Sequence, residues 1–69
     1  MTKTIMVGGM ACAECAEKVR KALEAVAGVE SVFAEQSAGV AVVNANAPVD
    51  DAALRAAVEG VGYTVLSIC

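Results

Sequence analysis

Turn-forming residues cut this chain into six short pieces, which excludes any fold that needs a long element. Gly8-Gly9, Gly28, Gln36-Ser37-Ala38-Gly39, Asn46-Ala47-Pro48 and the Gly60/Gly62 pair punctuate its 69 residues. Glycine reaches backbone conformations that other residues avoid, and proline ends a helix or a ladder. The hydrophobic period changes from piece to piece. Thr4-Ile5-Met6-Val7 alternates and predicts a strand with Ile5 and Val7 on one face. From Glu14 to Ala27, Ala16, Val19, Leu23 and Val26 recur at helical spacing, with Glu and Lys on the other face. Glu14–Lys18 and Glu17–Lys21 are expected to pair along this helix, and Gly28 stands where its C-cap should be. Val29 to Glu35 and Val40 to Ala45 read as strands joined by the 36–39 hairpin turn. Asp50 or Asp51 is expected to cap a second helix with Leu54, Ala57, Val58 and Val61 inward, and Tyr63 to Ile68 to form the last strand.

This order predicts an α+β, ferredoxin-like βαββαβ sandwich: a four-stranded antiparallel sheet with two helices on one face. The two halves form a weak structural repeat without matching sequence. With no linker in sight, residues 1–69 are expected to be one domain. Phe33, Met6 and Val43 are expected on the open side of the sheet, as an ordinary small apolar patch or a self-association surface.

The composition is 58% hydrophobic, mostly Ala and Val, with one Phe, one Tyr and no Trp. Small aliphatic side chains suit thin, closely packed layers and offer little surface on which bases can stack. The net charge of −3 provides no basic stripe for phosphates, so nucleic acid is excluded as the main partner. No apolar run approaches the roughly 18 residues of a spanning helix, and the apolar run in MTKTIMVGGM is too short for a signal peptide. A cytoplasmic location without membrane insertion is the expectation. In a reducing compartment, an odd count of three cysteines points to metal or redox chemistry rather than structural disulfides.

That chemistry centres on GGMACAEC, residues 8–15. Cys12 falls in the loop after the first strand and Cys15 in the first turn of the first helix. The free N–H groups and positive dipole end of a helix favour a thiolate there, with Cys15 expected to benefit. Two sulfur donors, in a chain without histidine, suit a soft ion of low coordination number. Cu(I) fits best, with Ag(I) and Hg(II) chemically close. Zn(II) usually takes four ligands, and only Cys69 offers a possible extra one; Cys69 is otherwise an incidental terminal cysteine. A thiol-disulfide oxidoreductase is the redox alternative, although ACAEC lacks the preceding aromatic and internal proline of thioredoxin-type motifs. Met10 reads as a core plug beneath the loop rather than a ligand. Gly8-Gly9 lacks the GK[ST] ending of a phosphate-binding loop.

GMACAEC, set between the first strand and first helix, resembles the GMxCxxC motif of heavy-metal-associated domains. That family comprises the bacterial copper chaperones and the N-terminal domains of metal-transporting P-type ATPases. Gly9, Met10, Cys12 and Cys15 match the motif, Ala27-Gly28-Val29 the end of the first helix, and Gly62-Tyr63 the opening of the last strand. The resemblance implies a metal carrier, not an enzyme: a cytosolic copper chaperone delivering Cu(I) from Cys12 and Cys15 by thiolate ligand exchange. The alternative it implies is an N-terminal domain of a heavy-metal-transporting P-type ATPase. The implied partner is the metal-binding domain of a copper-transporting P-type ATPase, with a metal-bridged dimer possible. Tyr63 is implied beside the site, shielding the sulfurs or donating its hydroxyl to a thiolate. Ala11 departs from the family pattern, standing where copper-type members often carry Thr or Ser and many zinc- or cadmium-type members Asp; without that carboxylate copper stays favoured. Lys18 and Lys21 are either a solvated helix face or a docking surface for an acidic partner.

Overall fold

The computed structural model describes residues 2–69, so residue 1 of the expected domain lies outside the described residues. The elements are β1 (Thr2–Gly8), α1 (Ala13–Glu24), β2 (Val29–Glu35), β3 (Val40–Ala45), α2 (Asp51–Gly60) and β4 (Thr64–Ile68). The strands lie in the order β2-β3-β1-β4, and every neighbouring pair is antiparallel. α1 packs on β2 and β3, α2 packs on β4, and the helices touch each other. This is the βαββαβ sandwich that the punctuation predicts.

Alternation along the strands decides which side chains enter the core. Ile5 and Val7 are buried and the intervening Met6 is exposed, as the period of two requires. In β3 the buried set is Ala41, Val43 and Ala45. Val43 therefore does not join Phe33 and Met6 on the open side, contrary to expectation. It is paired with Lys3 and Val32, both on the helix side, and Val42 takes the outer place opposite Phe33. Leu66 also reaches the outer face, where its side chain lies against Gly8. Alternation from the buried Val65 puts it there, and the β1/β4 register shift between Met6 and Val7 leaves it without a partner in the ladder.

The helices bury narrow stripes. Val19 and Leu23 of α1 meet Leu54 and Val58 of α2 in one cluster with Ile5 and Val43. Both helices stop earlier than the sequence reading has them, and β4 starts at Thr64 rather than Tyr63. α1 ends at Glu24 rather than Ala27, and the chain passes through tight turns in which Val26 donates to Leu23 O and Val29 to Val26 O. Val61 follows the last residue of α2 as its C-cap and is exposed rather than inward, because the helical period has already stopped. The ion pairs of α1 differ too. Arg20 takes both Glu17 and Glu24, the latter at 2.8 Å, so Glu17 pairs three residues on rather than with Lys21. No ion pair joins Glu14 to Lys18 among the described residues.

This arrangement brings three connections to one end of the sheet: the β1–α1 loop, the β2–β3 turn and the α2–β4 turn. The start of β1, the end of β4 and the start of α2 lie at the other.

Candidate metal centre

The β1–α1 loop is fixed by its own backbone before any cysteine contributes. Gly9 adopts φ +88°, a region that disfavours side chains. The Ala11 N–H donates to Gly9 O at 2.9 Å, closing a tight turn around Met10. That turn drives Met10 into the core, where it is 4% exposed and packs in the central cluster. Met10 is thus the plug that the sequence suggests, anchoring the loop from below.

The chain then enters α1 through Cys12, the N-cap residue, with φ −139° and ψ 162°. A helix leaves its first N–H groups without partners, and an acceptor on the cap fills one of them. Here that acceptor is sulfur: the Cys15 N–H donates to Cys12 Sγ at 3.0 Å. The helix end thus reaches the Cys12 sulfur directly, through the N–H of Cys15. The donated N–H and the positive dipole end favour negative charge on Cys12. Cys12 is exposed, whereas Cys15 is half-buried against the core. Glu14 is the acidic residue of the first turn, and its charge opposes a thiolate beside it.

Cys12 and Cys15 are bridged as a disulfide, with their Cα atoms 5.0 Å apart. The loop therefore brings both sulfurs to a common point, and reduction by two electrons with uptake of two protons breaks the S–S bond and frees two thiols there. Among the described residues, no group of three or more His, Cys, Asp or Glu is placed to hold a metal ion. The site offers two soft donors.

The structure divides the other candidate residues. The Tyr63 ring lies over the loop: a Cβ on Gly9 would come 3.5 Å from Tyr63 Cδ1. It is half-buried and packs against the core. Among the described residues the hydrogen bond to Cys12 Sγ comes from the Cys15 N–H and not from the Tyr63 hydroxyl. Cys69 is not brought to the site. Its backbone exchanges hydrogen bonds with Thr4, at 3.1 and 2.8 Å, while the site-side end of β1 is Gly8, paired with Thr64. Four residues of strand separate the two ends, roughly 13 Å, so this structure places Cys69 away from the Cys12–Cys15 loop. Cys69 is a free, exposed thiol. Gln36 was not anticipated: its Nε2 donates to Ala11 O at 3.4 Å, from the β2–β3 turn. Nothing in a turn reading marks such a contact between residues 25 positions apart.

These features define a small ferredoxin-like domain that presents two sulfurs at a helix N-terminus. Residues 4–64 match the heavy-metal-associated domain model. The chain belongs to that family. It is 42% identical over 65 residues to a copper-transporting ATPase 2 of Rhizobium meliloti (strain 1021), covering 90% of this chain and 8% of the relative. It is 37% identical over 62 residues to a mercuric reductase of Serratia marcescens, covering 90% of this chain and 14% of the relative. It thus spans only a small part of both proteins. Among solved structures, a CopZ metallochaperone superposes with a TM-score of 0.89 at 28% identity, covering 96% of this chain and all of the other. The domain is a heavy-metal-binding module related to a metallochaperone and to part of a copper-transporting ATPase.

Proposed function

We propose that this protein carries one Cu(I) between the Cys12 and Cys15 thiolates and hands it to a partner by ligand exchange, without catalysing a reaction. The observation that carries this reading is the donor set: two thiols on one loop, with no third ligand group assembled around them among the described residues. Cu(I) accepts two sulfur ligands, whereas Zn(II) usually takes four. Ag(I) and Hg(II) follow the same preference, and the related mercuric reductase is in keeping with a soft-metal site. The bridged pair must be reduced before loading, because a disulfide has no thiolate to offer.

The cargo is held where it can leave. Cys12 is exposed, so an incoming thiolate can reach the ion without unfolding the loop. A partner sulfur binds as a third ligand, one of the two cysteines dissociates and takes up a proton, and a second exchange completes the transfer. The half-buried Cys15 leaves the shared ion later than Cys12 in this scheme. A partner with its own CxxC, such as the metal-binding domain of a copper-transporting P-type ATPase, supplies the matching donors. Lys18 and Lys21 form no ion pair among the described residues and are available to an acidic partner surface. A metal-bridged dimer follows from the same chemistry when two chains share one ion. Among the described residues, no helix is long and apolar enough to cross a membrane. The reading places the domain in the cytoplasm.

A second reading is that the domain is the N-terminal part of a metal-transporting ATPase, which the similarity to the Rhizobium protein favours. The binding chemistry is the same in both cases. Anaerobic titration of the reduced protein with Cu(I) and with Zn(II), each against a competing chelator, tests the proposal. One Cu(I) per chain, held far more tightly than Zn(II), is expected. Equal or tighter Zn(II) binding overturns the metal assignment, and disulfide turnover by the metal-free protein overturns the carrier role.

A further inference from the structure

We infer that Gln36 is a positioning residue for the cysteine loop, holding Cys12 in its capping place from the β2–β3 turn. The inference rests on the reading of Cys12 and Cys15 as metal ligands and extends it to a residue outside the motif.

Ala11 is the point of leverage. Its N–H is bonded to Gly9 O at 2.9 Å, and its carbonyl accepts from Gln36 Nε2 at 3.4 Å. The Ala11 carbonyl and the Cys12 nitrogen belong to one planar peptide unit, so fixing the carbonyl also fixes the plane from which Cys12 departs. Cys12 leaves that plane in the extended conformation that sets its Sγ over the Cys15 N–H. If the plane swings, the sulfur leaves its donor. Gln36 therefore acts through Ala11 on the position of Cys12 Sγ and makes no contact with the metal itself.

The turn that presents Gln36 is itself held against β1. Gly39 N–H donates to Gln36 O at 3.2 Å, and Val7 N–H donates to Gly39 O at 2.8 Å. Gly39 has φ +66°, and a Cβ there would come 3.5 Å from Val7 O, so the backbones are close and the turn favours glycine. Ser37 Oγ donates to Glu35 Oε1 at 2.8 Å, which engages that carboxylate within the turn. A fixed hairpin thus supplies the donor, and the loop is clamped between Met10 below and Gln36 at its side.

The test uses amide hydrogen exchange, followed by NMR, in the reduced, metal-free protein. Gln36→Met keeps the length of the side chain and removes the donor; Gln36→Ala removes both. Each is expected to speed exchange of the Cys15 N–H about two- to fivefold, the order of one ordinary hydrogen bond. Exchange at Leu23 and Val43, and the urea midpoint, are expected to stay unchanged. In the loaded protein, Gln36→Met is expected to release Cu(I) to a chelator faster by a similar factor. Unchanged exchange at Cys15 overturns the inference. So does equal acceleration at Cys15, Leu23 and Val43, which would mean that Gln36 merely stabilises the hairpin. The exchange measurement involves no metal, so a failure of this inference is distinguishable from a failure of the functional reading, which the copper titration decides.

Discussion

The two helices occupy equivalent places in the two halves of the fold, yet their N-termini are built differently. α1 starts at the loop end with a cysteine as cap, and the sulfur accepts an N–H. α2 starts at the opposite end with Asp50, among the most favoured cap residues, and no side-chain cap bond forms there. Instead the next residue, Asp51, pairs with Lys3 of β1 across the fold. The helix with the conventional residue uses its acidic start for docking to the sheet. The helix with the unconventional one has a sulfur as its cap acceptor, beside the second cysteine of the motif. Residue preference locates a helix start, but the tertiary surroundings determine what the cap does.

The sharpest way to break this contrast is to give α1 an ordinary cap. In the reduced protein, Cys12→Ser supplies an oxygen acceptor of a preferred cap type, so stability should hold or rise by up to about 1 kcal/mol. Copper binding should nonetheless fall well beyond the roughly 10–100-fold typical of losing an outer partner, because a direct ligand is gone. Chelator competition and urea unfolding on the same sample separate the two outcomes. Retained copper affinity would mean that Cys12 serves only as a cap. Next in size is the anchor beneath the loop. Met10→Ala empties a buried position and should cost about 2–5 kcal/mol in urea unfolding. A loss below about 1 kcal/mol would show that the loop does not depend on its plug.

The contrast also marks how far the sequence could be read. Periodicity and glycine placement carried the element order and the faces of β1, because alternation and turn chemistry are local. The GMACAEC motif marked the two cysteines that the loop brings together, and Met10 behaved as its apolar character implies. What escaped the reading depends on partners distant in sequence. Val43 faced the wrong way on paper because four consecutive residues, Val40 to Val43, are apolar and give no alternation to follow; only the pairing with Lys3 and Val32 fixes their parity. Cys69 looked available as a ligand because sequence does not tell which end of the sheet receives the last residue. Gln36 carried no signal at all, since one side-chain amide in a turn is compatible with any neighbour. Arg20 was legible in principle, because Glu17 and Glu24 stand three and four residues from it on the same helix.

At the other helix start the expected effects are smaller. Because Asp50 makes no side-chain cap bond, Asp50→Ala should cost at most the dipole contribution of about 0.3–1 kcal/mol. A larger loss in urea unfolding would reveal a cap bond formed in solution and erase the difference between the two helices. Lys3→Ala removes a largely solvated ion pair and should cost about 0–1 kcal/mol, less at high salt.

The smallest effect concerns the charge cluster of α1, which has no counterpart in α2. The Glu17 carboxyl is held below its ordinary value of 4.5, first by the hydrogen bond from Arg20, with the charges of Arg20 and Lys21 assisting and partial desolvation opposing. Arg20 is shifted further upward by Glu17 and Glu24 and stays charged at any working pH. A carboxyl lowered in the folded state binds fewer protons there than in the unfolded chain. Its contribution is therefore complete above the unfolded pKa and is lost as pH falls through the folded one. Both groups are open to solvent, so salt screens the pair and the change should be slight. The urea midpoint should fall a little more between about pH 6 and pH 3 than it does in Glu17→Gln, and the excess should shrink in roughly 1 M salt. Identical pH slopes for the two proteins would show that the Arg20 cluster does not support α1 in solution. The cap at Cys12 and the packing of Val19 and Leu23 would then be what holds the site-bearing helix.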